Sequence, residues 1–134
     1  MKKIIHFCTA IILLSTVIQC SSSDGGASSG LSQKIIGKWY FQPIGSTPNN
    51  SFTFNANHTV RYSFWDGNGT NPYTYDYEDG SWSMQDSKLT MTFPQTVSLT
   101  FVQNVLFSSN SVMQFVPTGN PSEEAYDGIY YKAP

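Results

Sequence analysis

Among the side chains able to do acid/base work, Asp76 and Glu78 stand two apart in a run of alternating residue types. On a strand that spacing puts both carboxylates on one face about 7 Å apart, a distance at which a glycosidase pair can operate. The same alternation sets Tyr73, Tyr75 and Tyr77 on the opposite face. Rings belong inward, so the two acids are expected to point outward as solvating charges. His58 falls in a predicted turn with no cysteine partner and no ligand-spaced neighbour, so neither nucleophilic nor metal chemistry is assembled around it. Asp66, Asn68 and Thr70 alternate along a loop in the manner of oxygen ligands for calcium. No carboxylate follows where a calcium loop supplies its bidentate ligand, and no helices flank the segment, which leaves a solvated Gly-Asn turn. The expectation is a protein that is not an enzyme and uses no cofactor and no metal.

The two cysteines carry the remaining reactive chemistry. Lys2 and Lys3 precede an apolar stretch from Ile4 to Ile18, too short and too poorly flanked to span a bilayer but of the form of an export signal. Cys8 lies inside that stretch as a small hydrophobe and is discarded with it. Val17-Ile18-Gln19-Cys20 ends the stretch, and Ser21-Ser22-Ser23-Asp24-Gly25-Gly26 follows. This arrangement resembles the lipobox of bacterial lipoproteins. The resemblance implies a signal peptide over residues 1–19 and a lipid on Cys20; cleavage by a different peptidase, for instance after Ala27, is the alternative. Residues 20–30 then form the lipidated cysteine and a flexible tether, whose coil averages roughly 18 Å end to end. With Cys8 removed and Cys20 acylated, no thiol remains for a disulfide or a nucleophile. The expected location is the cell envelope, lipid-anchored at the outer membrane on its periplasmic or surface face.

Residues 31–134 form one domain of about a hundred residues, a size that buries a core without staples. After processing, Lys34, Lys38, Arg61, Lys88 and Lys132 stand against nine acidic residues, a net charge near −4. Nucleic acid is excluded as a partner, because phosphate binding needs clustered Lys and Arg. Only 12% of the chain is charged while 15% is aromatic, so Tyr, Phe and Trp must supply most of the buried area.

The elements that position these residues are read from alternation, since no segment long enough for a helix keeps a 3.6-residue period. Leu31 to Ile36 predicts one short turn of helix, and Lys38 to Pro43 a first strand. Phe52 and Phe54 share a face, as do Val60, Tyr62 and Phe64 in Thr59 to Trp65, and Asn55 to His58 joins the two runs as a hairpin. Tyr73, Tyr75 and Tyr77 come next, but Trp82 and Met84 lie an odd number of residues further on. A β-bulge at Asp79-Gly80 is predicted to bring both sets to the inward face. Leu89, Met91 and Phe93 alternate in a strand closed by Pro94. Val97, Leu99, Phe101, Val105 and Phe107 share a face of the run Thr96 to Phe107 with Gln103 among them, and Ser111 to Val116 and Tyr126 to Lys132 complete eight strands.

Short turns make sequence neighbours antiparallel neighbours in space. Eight such strands, with no helix to cover a sheet face, bury their apolar sides and lose their edges by closing on themselves. The predicted fold is therefore all-β, an eight-stranded antiparallel up-and-down β-barrel. A two-sheet β-sandwich is the alternative, although it usually needs longer crossovers.

Leu31 with Gly37-Lys38-Trp39, the hairpin around Asn57, Gly80-Ser81-Trp82 and the closing Tyr130-Tyr131-Lys132 resemble the short lipocalin-like domains of Bacteroidetes-type lipoproteins. The resemblance covers about residues 31 to 133. It implies a barrel floor at which Trp39 packs against Lys132, and a small apolar or amphipathic ligand in the barrel mouth. The chain departs from the larger lipocalins in having no Thr-Asp-Tyr-like turn and no helix after the last strand.

Phe54, Tyr62, Phe64, Tyr75, Trp82, Met91, Phe101 and Phe115, with Trp39 and Phe52, are the inward candidates. They either line a cavity or fill the core, because a barrel of eight strands is just wide enough for one or the other. Gln103 among them either meets a ligand's polar end or bonds a neighbouring Tyr hydroxyl or a water. Two functions follow. One is a carrier of a small lipophilic ligand. The other is an interaction module with a filled interior, presenting Trp65 and several tyrosines to a glycan or protein partner. Both contact the membrane through the lipid anchor.

Overall fold

The computed structural model describes residues 26–69, 71–94, 99–119 and 126–134. The expected export signal and Cys20 lie outside these residues, as do Thr70 and Val97. A helix, α1 (Gly26–Ile35), leads into β1 (Gly37–Tyr40), β2 (Ser51–Phe54), β3 (Thr59–Trp65), β4 (Tyr75–Gln85), β5 (Lys88–Phe93), β6 (Leu99–Phe107), β7 (Val112–Val116) and β8 (Gly128–Lys132). Each strand pairs antiparallel with the next, and β8 returns to β1 to close the barrel. The up-and-down barrel is as the alternation predicts, and the sandwich is not formed. Apolar positions of period two supply the interior: Phe52 and Phe54 on β2, Leu89, Met91 and Phe93 on β5, and Met113 and Phe115 on β7 are all buried.

The segment from Gly26 to Gly30, expected as flexible coil, belongs to α1, which replaces the single turn expected at Leu31 to Ile36. Ser28, Ser29 and Gly30 are poor helix formers, so tertiary contacts hold the helix together. Ile35, one turn beyond Leu31, is fully buried. The last carbonyls of the helix, which have no partner inside it, are capped by the barrel. Trp39 Nε1 donates to Ile35 O at 2.7 Å and Lys132 Nζ donates to Lys34 O at 3.1 Å. Lys132 and Trp39 are paired positions across the β8–β1 seam, and the ammonium lies 5.2 Å from the indole centroid. Gly37 makes this arrangement possible. Its φ is +126°, and a Cβ there would come within 2.9 Å of Lys132 Cε, so glycine leaves room for the lysine stem while taking a backbone shape other residues avoid.

β4 contains no bulge. Its pairing with β3 runs unbroken from Tyr75 opposite Trp65 to Ser81 opposite Thr59, and its pairing with β5 from Ser81 opposite Thr92 to Gln85 opposite Lys88. With the phase continuous from Trp82, the inward positions are Gly80, Glu78 and Asp76, while Tyr75 and Tyr77 face outward. Gly80 serves close approach instead of a bulge: a Cβ at this site would run into the Thr92 carbonyl oxygen and lie 2.8 Å from Phe93 Cδ1. β1 likewise ends at Tyr40, earlier than expected, and residues 41–50 leave the sheet as a long connection to β2.

Candidate functional site

Inside the barrel, rings from non-adjacent strands meet. Phe52 of β2 lies 6.1 Å from Phe115 of β7 and Tyr62 of β3 lies 6.5 Å from Phe93 of β5, while Phe115 lies 4.4 Å from Tyr130 on the neighbouring β8. Two rings from outside the strands complete the plug. Phe41 packs edge-on against Tyr130 at 4.8 Å, and Tyr126 sits 5.1 Å from Phe52 and 4.9 Å from Phe101. Phe54, Trp82, Met91, Phe101, Gln103 and Phe115 are buried as the alternation predicts, and Tyr62 and Phe64 are half-buried toward the rim. Tyr75 is the exception. The continuous phase of β4 places it on the outer wall, 39% exposed. Burial raises the phenol pKa of Tyr62, of Tyr126 to about 12, and of Tyr130 further still. The Tyr130 hydroxyl donates to Tyr126 O.

Asp76 and Glu78, expected outward, stand opposite Phe64 and Tyr62 in the inward phase, where the barrel face meets water at the rim. Asp76 is exposed and Glu78 half-buried. His58 takes the left-handed turn position at φ 64°, with its ring 4.9 Å from Trp82 and its carbonyl accepting from Trp82 N at 2.9 Å. The Asp66 carboxylate accepts from Asn68 N at 2.8 Å, from Asn68 Nδ2 at 3.1 Å and from Thr74 Oγ1. These bonds, that of Thr74 foremost, hold its pKa below the ordinary carboxylate value. Among the described residues no three His, Cys, Asp or Glu side chains gather as a metal site.

The outer wall over β1–β4 is built in cross-strand rows. One row runs Tyr40, Ser51, Ser63, Tyr77, and the next Lys38, Thr53, Arg61, Asp79. Trp65 and Tyr75 are paired at the upper edge. Trp65 is 37% exposed and Tyr77 58%. Trp65 is held by a bond from Nε1 to Asn68 O at 2.9 Å and by an edge contact with Tyr73. The Arg61 guanidinium lies 4.4 Å from the Tyr77 ring centroid and forks the Asp79 carboxylate at 2.7 and 2.8 Å, which lowers the Asp79 pKa.

Two serines between large rings leave a trough in this wall. Ser51 and Ser63 form its floor, Tyr40 and Tyr75 flank it, and the 41–50 connection arches over it to enclose a groove of about 410 Å³. The covering connection explains why Ser51 is buried although it faces outward. Asn49 braces the arch: its side chain accepts from Gln42 N and donates to Gln42 O, both at 3.0 Å, and its own N–H donates to the Tyr75 hydroxyl at 3.0 Å. Lys38 stands at the groove's edge with Nζ 4.9 Å from the Tyr40 centroid. Alternation within single strands did not single out Lys38, Tyr40, Ser51 or Ser63. Their meeting depends on the register among three strands, and the available signal was the pair of outward serines between aromatic neighbours.

No family model matches the chain, and no curated protein matches it. Among solved structures it is similar to the crystal structure of Treponema pallidum Tp0751 (pallilysin), with a TM-score of 0.45 and 15% identity over 77% of this chain and 83% of that one.

Proposed function

We propose that this protein is a non-catalytic binding module of the cell envelope, anchored through a lipid on Cys20, that engages its partner with the outer wall of the barrel. The observation supporting this reading is the interior itself, spanned by rings from Phe52 to Phe115 and from Tyr62 to Phe93. Grooves lined by described residues open on the outer wall over Ser51 and Ser63, along Thr53, Arg61 and Asp79, and at the rim by Phe41 and Trp65. Trp65, Tyr75 and Tyr77 supply the exposed rings that stack on a sugar or anchor an interface. The carrier alternative, a small lipophilic ligand in the mouth, requires Phe41 and Tyr126 to give up their places against Tyr130, Phe52 and Phe101.

Native mass spectrometry of the chain isolated from its own host separates the two. The expected spectrum contains the lipidated polypeptide without a companion. A lipophile that copurifies one to one, and whose retention is lost when Phe115 is enlarged to Trp, would overturn the outer-wall reading in favour of the carrier.

A further inference from the structure

From the groove over Ser51 and Ser63 we infer a binding site for an acidic saccharide, meaning a pyranose ring that carries a carboxylate or sulfate. The inference rests on the outer-wall reading and assigns it a place and a ligand class. A volume of about 410 Å³ lies within the roughly 300–1,000 Å³ typical of small-molecule sites. Its chemistry alternates as a sugar's does. Tyr40 and Tyr75 line it with apolar ring surface suited to the C–H faces of a pyranose, while Ser63 and the Ser46 and Thr47 segment offer neutral hydroxyls and backbone groups to its hydroxyls.

Charge decides the ligand's sign. Among the described residues lining the groove, Lys38 is the one basic side chain and none is acidic. The neighbouring cation of the wall, Arg61, is already committed to Asp79. The Lys38 ammonium is held beside Tyr40 at the groove's edge, where an anionic substituent on a ring seated over the serines meets it. The site is also built before a ligand arrives, because Asn49 closes the arch on itself at Gln42 and fixes it to Tyr75 of the wall, so little ordering remains to be done on binding.

The test is NMR titration of the full chain with trigalacturonic acid, a sulfated disaccharide, neutral maltotriose and an acidic peptide. Amide shifts at Ser63 and Tyr75 are expected with one or both acidic sugars. Lys38→Gln should weaken that binding about tenfold or more, and Ser63→Leu, which fills the floor, should abolish it while the melting temperature stays at the parental value. Equal binding of maltotriose overturns the requirement for charge, and a response to the peptide alone overturns the saccharide. Shifts confined to the Trp65 indole overturn the groove but leave the outer-wall reading standing. Shifts at the Met91 and Met113 methyls, inside the barrel, overturn both. No shift with any acidic sugar overturns the inference.

Discussion

Trp39 joins two parts of the molecule with one side chain: its ring is fully buried in the core and its Nε1 caps the helix at Ile35. Trp39→Ala is expected to cost about 3–5 kcal/mol through the cavity it leaves, and Trp39→Phe about 1 kcal/mol for the lost hydrogen bond plus a smaller packing loss. Urea unfolding measures both, and an unchanged midpoint for the Ala variant would contradict the burial of Trp39. The buried phenols make a second prediction. Tyr62, Tyr126 and Tyr130 have raised pKa values in the folded chain, Tyr126 to about 12, against about 10 when unfolded. Below about pH 10 both states keep the proton and these groups leave stability unchanged. Above it the unfolded chain deprotonates first, so stability falls as pH rises from about 10 through 12. Unfolding midpoints should decline over that interval, and Tyr126→Phe should flatten the decline; a midpoint that climbs with pH would contradict the burial of these rings.

At the scale of the element, β4 depends on a missing side chain. Gly80→Ala pushes a methyl into the Thr92 carbonyl and the Phe93 ring and is expected to cost about 1–3 kcal/mol. Gly69→Ala, with open space around it, should fall within about 0.5 kcal/mol of the parent. Thermal melts of the two variants check the contrast, and equal midpoints would mean β4 is not clamped at Gly80. The same strand marks where sequence patterning ran out. β3 and β5 were legible almost residue for residue, because each carries one apolar face along its length. β4 inverts its pattern: its inner face begins with Asp76 and Glu78 at the wet rim, while its outer face carries Tyr75 and Tyr77. Hydropathy alone therefore turned the upper half the wrong way and required a bulge to restore the phase. α1 was underestimated for a related reason. Its stability comes from caps supplied by Trp39 and Lys132, not from the propensities of Ser28, Ser29 and Gly30.

For the whole molecule, closure was legible from eight short alternating runs, and Trp65 was legible as an outer aromatic by its place in β3. The groove was not, since its residues are gathered by pairing across β1, β2 and β3 and by an arch that Asn49 shapes from outside the sheet. The proposed anchor belongs to this scale too. Cys20→Ala should move the protein from the membrane fraction to the soluble fraction; fractionation identical to the parent would refute lipidation at that residue. Closure also has a weak point. Only Trp39 with Lys132 and Tyr40 with Tyr131 register across β1 and β8, and α1 abuts that junction through the bonds at Ile35 and Lys34. A pull on the chain ahead of Gly26 enters through α1 and is borne first by those two caps and then by the narrowest seam, so under tension the barrel should unzip at its own clasp.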